Sequence, residues 1–186
     1  HRPLALNSAR DRLLVASTDV DKAGGRRENP TLDVTLVDPL DPAGAKKIAT
    51  LPGTGWGDFS FSFDDRRLAM SEFRSVTETY VWVMDLATGE RRRVLPAPGA
   101  DPTRTVASTE VNFSRDGRGL FLTTDRDGEF QRASYLDLAT GATFEEVAHL
   151  LVHEHLPTRD ELAHYRAKLK RLRGLPPQVQ DALELL

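Results

Sequence analysis

Three histidines, His149, His153 and His155, are the residues whose type and spacing come nearest to a metal site. His149 and His153 stand four apart, so on a helix they share one face, as paired histidines do in helical zinc sites. The glutamate that would follow the first histidine as general base is replaced by Leu150, so the pattern falls short of a metalloprotease helix. Asp125-Arg126-Asp127-Gly128-Glu129 has the composition of a calcium loop without its twelve-residue spacing, and reads as a hairpin turn. Gly53-Thr54-Gly55-Trp56-Gly57 is glycine-rich, but no Lys-Ser/Thr pair or helix follows to cradle phosphate. Asn112-Phe113-Ser114 fits a glycosylation sequon placed where a strand is expected. Arg91-Arg92-Arg93 reads as the solvated face of an edge strand. No residue is therefore assigned a catalytic, cofactor-binding or metal-binding role, and no cofactor is expected.

The elements that would position such residues differ along the 186-residue chain. At 39% hydrophobic and 28% charged residues, the composition is that of a globular protein with a core. A net charge of -3 leaves no nucleic-acid footprint. The apolar runs fall short of the roughly 20 residues a membrane span needs, so no membrane association is expected. There is no cysteine, hence no disulfide or thiolate chemistry. The chain starts at His1 without an initiator Met or signal-peptide pattern and stops within an apolar helical stretch, so it is expected to be an excerpt of a longer chain.

Residues 1–141 repeat a motif. Phe61-Ser62-Phe63-Asp64-Asp65-Arg66-Arg67-Leu68 recurs as Phe113-Ser114-Arg115-Asp116-Gly117-Arg118-Gly119-Leu120, with a weaker copy, one residue shorter, from Asn7-Ser8 to Val15. A second motif, Val81-Trp82-Val83-Met84-Asp85-Leu86-Ala87-Thr88-Gly89, recurs as Ala133-Ser134-Tyr135-Leu136-Asp137-Leu138-Ala139-Thr140-Gly141, with Val34 to Pro39 as its early copy. Ser62 and Ser114 lie 52 residues apart, as do Asp85 and Asp137, so two independent landmarks hold one register. Asp-Gly and Asp-Asp steps suit hairpin turns, and the flanking aromatic and β-branched residues suit strands. A four-stranded unit of about 50 residues has the size of a β-propeller blade.

The stretch from Gly55 to Asp65, and Phe113 to Arg118 with Thr124 to Arg132, resembles blades of the prolyl-oligopeptidase-type serine peptidases over residues 5–141. The resemblance implies a propeller that caps a hydrolase domain and filters the peptides reaching it. The chain contains no G-x-S-x-G elbow, so no triad residue is carried over.

From Thr143 the apolar period changes from two to 3.6. Thr143 and Glu146, then Thr158 and Glu161, form capping boxes ahead of two helices, and Pro176-Pro177 opens a third. Thr143 to Leu151, Leu156 to Leu162 and Leu172 to Pro176 resemble the early helices of citrate synthases, leaning toward the 2-methylcitrate synthases. That family binds oxaloacetate and an acyl-coenzyme A thioester. Its two catalytic histidines and aspartate belong to later segments, and His149, His153 and His155 do not match them.

The expected fold is mainly β: three four-stranded antiparallel blades of an incomplete propeller (residues 1–52, 53–98 and 99–141), then a three-helix segment at 142–186. The expected function is that of a non-catalytic, substrate-gating propeller fragment of a serine peptidase fused to a truncated citrate-synthase-like segment. Two alternatives stand beside it, a citrate or 2-methylcitrate synthase-related acyltransferase fragment and a stand-alone binding propeller. The resemblances imply a cytoplasmic location and a peptide as the parent's substrate. Open blade edges imply self-association, unless the helices cover a blade face.

Overall fold

The computed structural model describes residues 2–18, 30–101, 103–126 and 130–172. The chain divides into two compact units, His1–Gly141 and Ala142–Leu186. The expected third helix, beginning at Pro176, lies outside the described residues.

The first unit is three antiparallel sheets. β1 (Arg2–Leu6), β2 (Leu13–Thr18), β3 (Thr31–Asp38) and β4 (Asp41–Pro52) form the first, in chain order. β5 (Trp56–Phe61), β6 (Arg67–Ser75), β7 (Glu78–Asp85) and β8 (Arg91–Leu95) form the second. The third holds β9 (Ser108–Phe113), β10 (Gly119–Thr124) and β11 (Arg132–Asp137), in the order β11-β10-β9. It has three strands among the described residues where four were expected. In the second sheet the Asp85–Gly89 turn leads to β8, whereas the matching Asp137–Gly141 turn leads to a helix.

Two cores hold the sheets together, and the middle sheet serves both. Leu68, Met70 and Met84 pack with Leu14, Ala16, Leu32 and Val34 of the first sheet. Ala69, Val81 and Val83 pack with Val111, Leu120, Leu122 and Leu136 of the third. Side chains alternate across a strand, so a sheet buried on both faces reads as a continuous apolar run. That is why Leu68-Ala69-Met70 and Val81-Trp82-Val83-Met84 show no polar alternation. The first strands, β1, β5 and β9, are neighbours, so the sheets stack in sequence order.

The repeated turn has one geometry in all three copies. The Ser62 N–H donates to the Arg67 carbonyl at 2.9 Å, and the Arg67 N–H returns to the Ser62 Oγ at 2.9 Å. Ser114 and Gly119 make the same pair at 2.9 and 3.0 Å. In the first sheet the closing residue is Asn7, not Ser8: its N–H reaches the Arg12 carbonyl at 3.0 Å, and its Oδ1 accepts the Arg12 N–H at 2.8 Å. Counted from Asn7, Ser62 and Ser114, the third residue on is left-handed in each: Arg10 (φ 60°), Asp65 (φ 55°) and Gly117 (φ 68°). The first copy is therefore full length, and an asparagine amide substitutes for the serine hydroxyl.

Gly119 opens β10 beneath the ring of Tyr135, its neighbour's side chain on β11. A Cβ at this position would overlap the phenol ring. Gly119→Ala is expected to destabilise the first unit by about 1–3 kcal/mol through overpacking, read as a lower thermal midpoint of the β-sheet circular dichroism signal.

The second unit contains α1 (Phe144–His153) and α2 (Arg159–Leu172). Both capping boxes form: the Thr143 N–H donates to Glu146 Oε2 at 2.6 Å, and the Thr158 N–H to Glu161 Oε2 at 2.7 Å. α1 ends at Glu154 in the left-handed region (φ 64°), whose N–H bonds the Leu150 carbonyl at 2.8 Å. Glycine is at ease there, whereas a Cβ costs about 1 kcal/mol. Glu154→Gly is expected to stabilise this helix end by about that amount, seen as a higher melting midpoint of the helical signal.

Candidate functional site

The three turns gather at one end of the first unit. Between them lies a cleft of about 370 Å³, lined by Ser8, Phe61, Phe63, Phe113, Ser114 and Arg115. Phe63 is 61% exposed, and the Arg115 guanidinium lies 5.5 Å from its ring centroid. The Arg67 guanidinium lies 5.3 Å from the Phe113 ring centroid and donates to the Gly117 carbonyl at 2.7 Å, which joins the second sheet to the third. The first sheet is joined to the second by Asp65. Its carboxylate accepts the Ser8 N–H at 2.7 Å, the Asn7 Nδ2 at 2.9 Å and the Ala9 N–H at 3.0 Å.

Both cleft serines are occupied structurally. The Ser8 hydroxyl donates to the Ser62 carbonyl at 3.2 Å, and the Ser114 hydroxyl donates to Asp116 Oδ1 at 2.7 Å. An activated serine needs an imidazole or other base within reach, and these hydroxyls meet oxygen acceptors instead. The cleft offers two exposed aromatic surfaces and a cation, which is chemistry for binding side chains.

The turn carboxylates are electrostatically tuned by their own loops. The Ser62 hydroxyl holds Asp64 below the ordinary 3.8, and the Ser114 hydroxyl does the same for Asp116. The backbone N–H of Thr88 lowers Asp85, and that of Thr140 lowers Asp137. A carboxylate whose folded value is depressed stabilises the fold above its unfolded value, and that stability drains away as protons bind. The first unit is therefore expected to lose thermal stability as pH falls through about 4 and below, with a shallower dependence in Ser114→Ala. Thermal melts between pH 6 and 2 check this.

The residues singled out by type and spacing do not form this cleft, apart from Phe113 and Ser114 of the sequon. His149, His153 and His155 cluster instead on the helical unit, with ring centroids 4.2 Å (149 to 153) and 5.1 Å (149 to 155) apart. His149 is buried, meets Tyr165 of α2 edge-on at 5.3 Å, and places its Nδ1 3.2 Å from the His155 carbonyl. Among the described residues, no group of three His, Cys, Asp or Glu side chains is arranged to hold a metal. Asp125 ties loop to strand by accepting the Ala107 N–H at 2.8 Å, while 127–129 lie outside the described residues. The glycine stretch leads into β5, with the Gly53 N–H on the Pro30 carbonyl at 2.7 Å. Asn112 sits within β9, its amide donating to the Glu110 carbonyl at 2.9 Å.

Arg91 is solvated as expected, but Arg92 and Arg93 are engaged. Arg92 donates to the Leu138 carbonyl at 3.0 Å, and Arg93 lies over the Tyr80 ring at 4.8 Å. A run of like charges carries no sign of which members find partners across a sheet boundary.

Solved structures give the first unit its class. TolB from Acinetobacter baumannii superposes with a TM-score of 0.52 at 20% identity, over 77% of this chain and 31% of that one. A prolyl endopeptidase superposes at 0.53 and 15% identity, over 75% and 20% respectively. The stacked sheets are thus three blades of a β-propeller. The second unit is similar to a different class. The family model described as citrate synthase, C-terminal domain, matches residues 124–186, beginning at the last residue of β10. A 2-methylcitrate synthase from Shewanella oneidensis is 54% identical over 48 residues, and a citrate synthase-related protein from Dictyostelium discoideum 42% over 48. These stretches are 13% and 12% of those proteins' lengths, and 26% of this chain. Propeller blades and a citrate-synthase-like segment are fused in one polypeptide.

Proposed function

We propose that the blades are a non-catalytic, polypeptide-binding and gating module, joined to a truncated citrate-synthase-like segment, with neither peptide hydrolysis nor thioester condensation carried by these residues. The observation that carries the reading is the cleft between the second and third blades. Its exposed Phe63, stacked against Arg115, is suited to aromatic or acidic side chains of an extended peptide. Propellers related in fold include those of TolB and of prolyl endopeptidases. No helix among the described residues is long and apolar enough to cross a membrane, and the proposed location is the cytoplasm.

The test is fluorescence anisotropy of labelled peptides with aromatic and acidic residues, with Phe63→Ala and Arg115→Ala as variants. Saturable binding weakened in both variants supports the reading, and binding indifferent to both contradicts it. A second reading is favoured by the 54% identity to a 2-methylcitrate synthase. It makes the chain part of an acyltransferase, and release of free coenzyme A from an acyl-coenzyme A with oxaloacetate, above an enzyme-free control, would select it.

A further inference from the structure

The blades leave two faces without a neighbour inside the described unit. On the third blade, Phe121 is 54% exposed and pairs across the strands with Tyr135, their ring centroids 5.2 Å apart. On the first blade, Leu13 and Val15 are half-buried and pair with Val37 and Thr35.

These faces correspond position by position to interfaces already formed. Counted from the turn residues Asn7, Ser62 and Ser114, Phe121 stands where Leu14 and Ala69 stand in the earlier blades. Both of those pack onto the following blade. By the same count Leu13 and Val15 stand where Leu68 and Met70, and Leu120 and Leu122, pack onto the preceding blade. The third blade thus presents the face that a following blade covers, and the first blade presents the face that covers it.

We propose that a second copy of this chain supplies the missing neighbour. Phe121 and Tyr135 of each copy pack on Leu13, Val15 and Val37 of the other, and two such contacts close a two-fold ring of six blades. Propellers close with four to eight blades, and a heterologous contact made twice about a two-fold axis closes without leaving an open end. Charge supports this register. Asp65 joins the first two blades by accepting from Asn7, Ser8 and Ala9. At the new contact Arg10 takes the place of Asp65, and Asp116 that of Ala9, which sets opposite charges together. Arg115 is turned away onto Phe63.

The chain has no cysteine, so engineered ones report without background. Light scattering of the full chain is expected to give twice 20.7 kDa, and Phe121→Asp, with unchanged circular dichroism, to halve it. Phe121→Cys and Val15→Cys, mixed and oxidised, are expected to cross-link, and neither variant alone to do so. The double variant is expected to stop at the dimer. A monomer of the unmodified chain, as when the helices cover the Phe121 face, would overturn the proposal. So would cross-linking of Phe121→Cys alone, which reports β11 edges pairing with each other, or a ladder above the dimer.

Discussion

Leu14→Ala is expected to cost the propeller unit about 2–5 kcal/mol, because a fully buried leucine truncated in a packed core loses both transfer free energy and contacts. Leu14 is 0% exposed and packs with Leu32, Val34, Leu68 and Met70 between the first and second blades. In a chain of this size each kcal/mol moves the thermal midpoint by about 2–4 °C, so the shift should be roughly 5–15 °C. Leu40, 96% exposed in the turn after β3, is the control. Leu40→Ala should stay within about 0.5 kcal/mol. Equal effects at the two positions would mean that the first blade does not pack on the second as described.

Asp65→Ala is expected to follow at about 1–3 kcal/mol, the cost of leaving three donors without their carboxylate. The site is partly solvated, which holds the figure below that for three fully buried bonds. Asp65 also sits at φ 55°, so alanine adds a left-handed strain that is not part of the interblade contact. Asp65→Gly removes the carboxylate without that strain, and Asp65→Asn keeps the conformation and one acceptor. The expected stability order is wild type, then Asn, then Gly, then Ala. Were Gly to match the wild type, the carboxylate bonds between blades would carry no net stability.

Much of this fold was legible because its repeat is written in turn chemistry. Ser62 and Ser114, and Asp85 and Asp137, fill equivalent places for a physical reason: each accepts backbone N–H groups that close a loop. The capping boxes at Thr143 and Thr158 are local patterns of the same kind. What the sequence hid is non-local or conformational. Asn7 does the work of a serine, but its neighbour Ser8 offered a more literal match and shifted the first copy by one residue. Asp58 and Glu110 are left-handed bulge residues in the first strands of their blades (φ 46° and 56°). Each accepts a hydroxyl from the next strand, Ser71 at 2.9 Å and Thr123 at 2.7 Å. No residue-type pattern announces such a bulge, although the pairs 58/110 and 71/123 keep the 52-residue register. The cleft was missed because Phe63 and Arg115 meet only when two blades stack, and each by itself reads as an ordinary turn residue.

The third sheet explains why the junction was hard to place from sequence. Asp137-Leu138-Ala139-Thr140-Gly141 completes the blade turn, with Asp137 Oδ1 accepting from Ala139 at 3.0 Å and Thr140 at 2.8 Å. The citrate synthase family match already runs through the same residues. The chain then enters a capped helix at the point where the second blade forms its fourth strand. One short segment satisfies both halves.

Fusion of the two halves in one polypeptide has a direct test in the protein itself. Between Arg132 and Arg159 there is no lysine or arginine, so trypsin releases Ala133–Arg159 as one peptide carrying β11, the shared turn and α1. Tandem mass spectrometry of the protein isolated from its source is expected to recover that peptide intact, with fragment ions on both sides of Gly141. Recovery of β11 only in peptides that depart from this sequence after Gly141 would contradict the account, and would return the blades to a chain without the citrate-synthase-like segment.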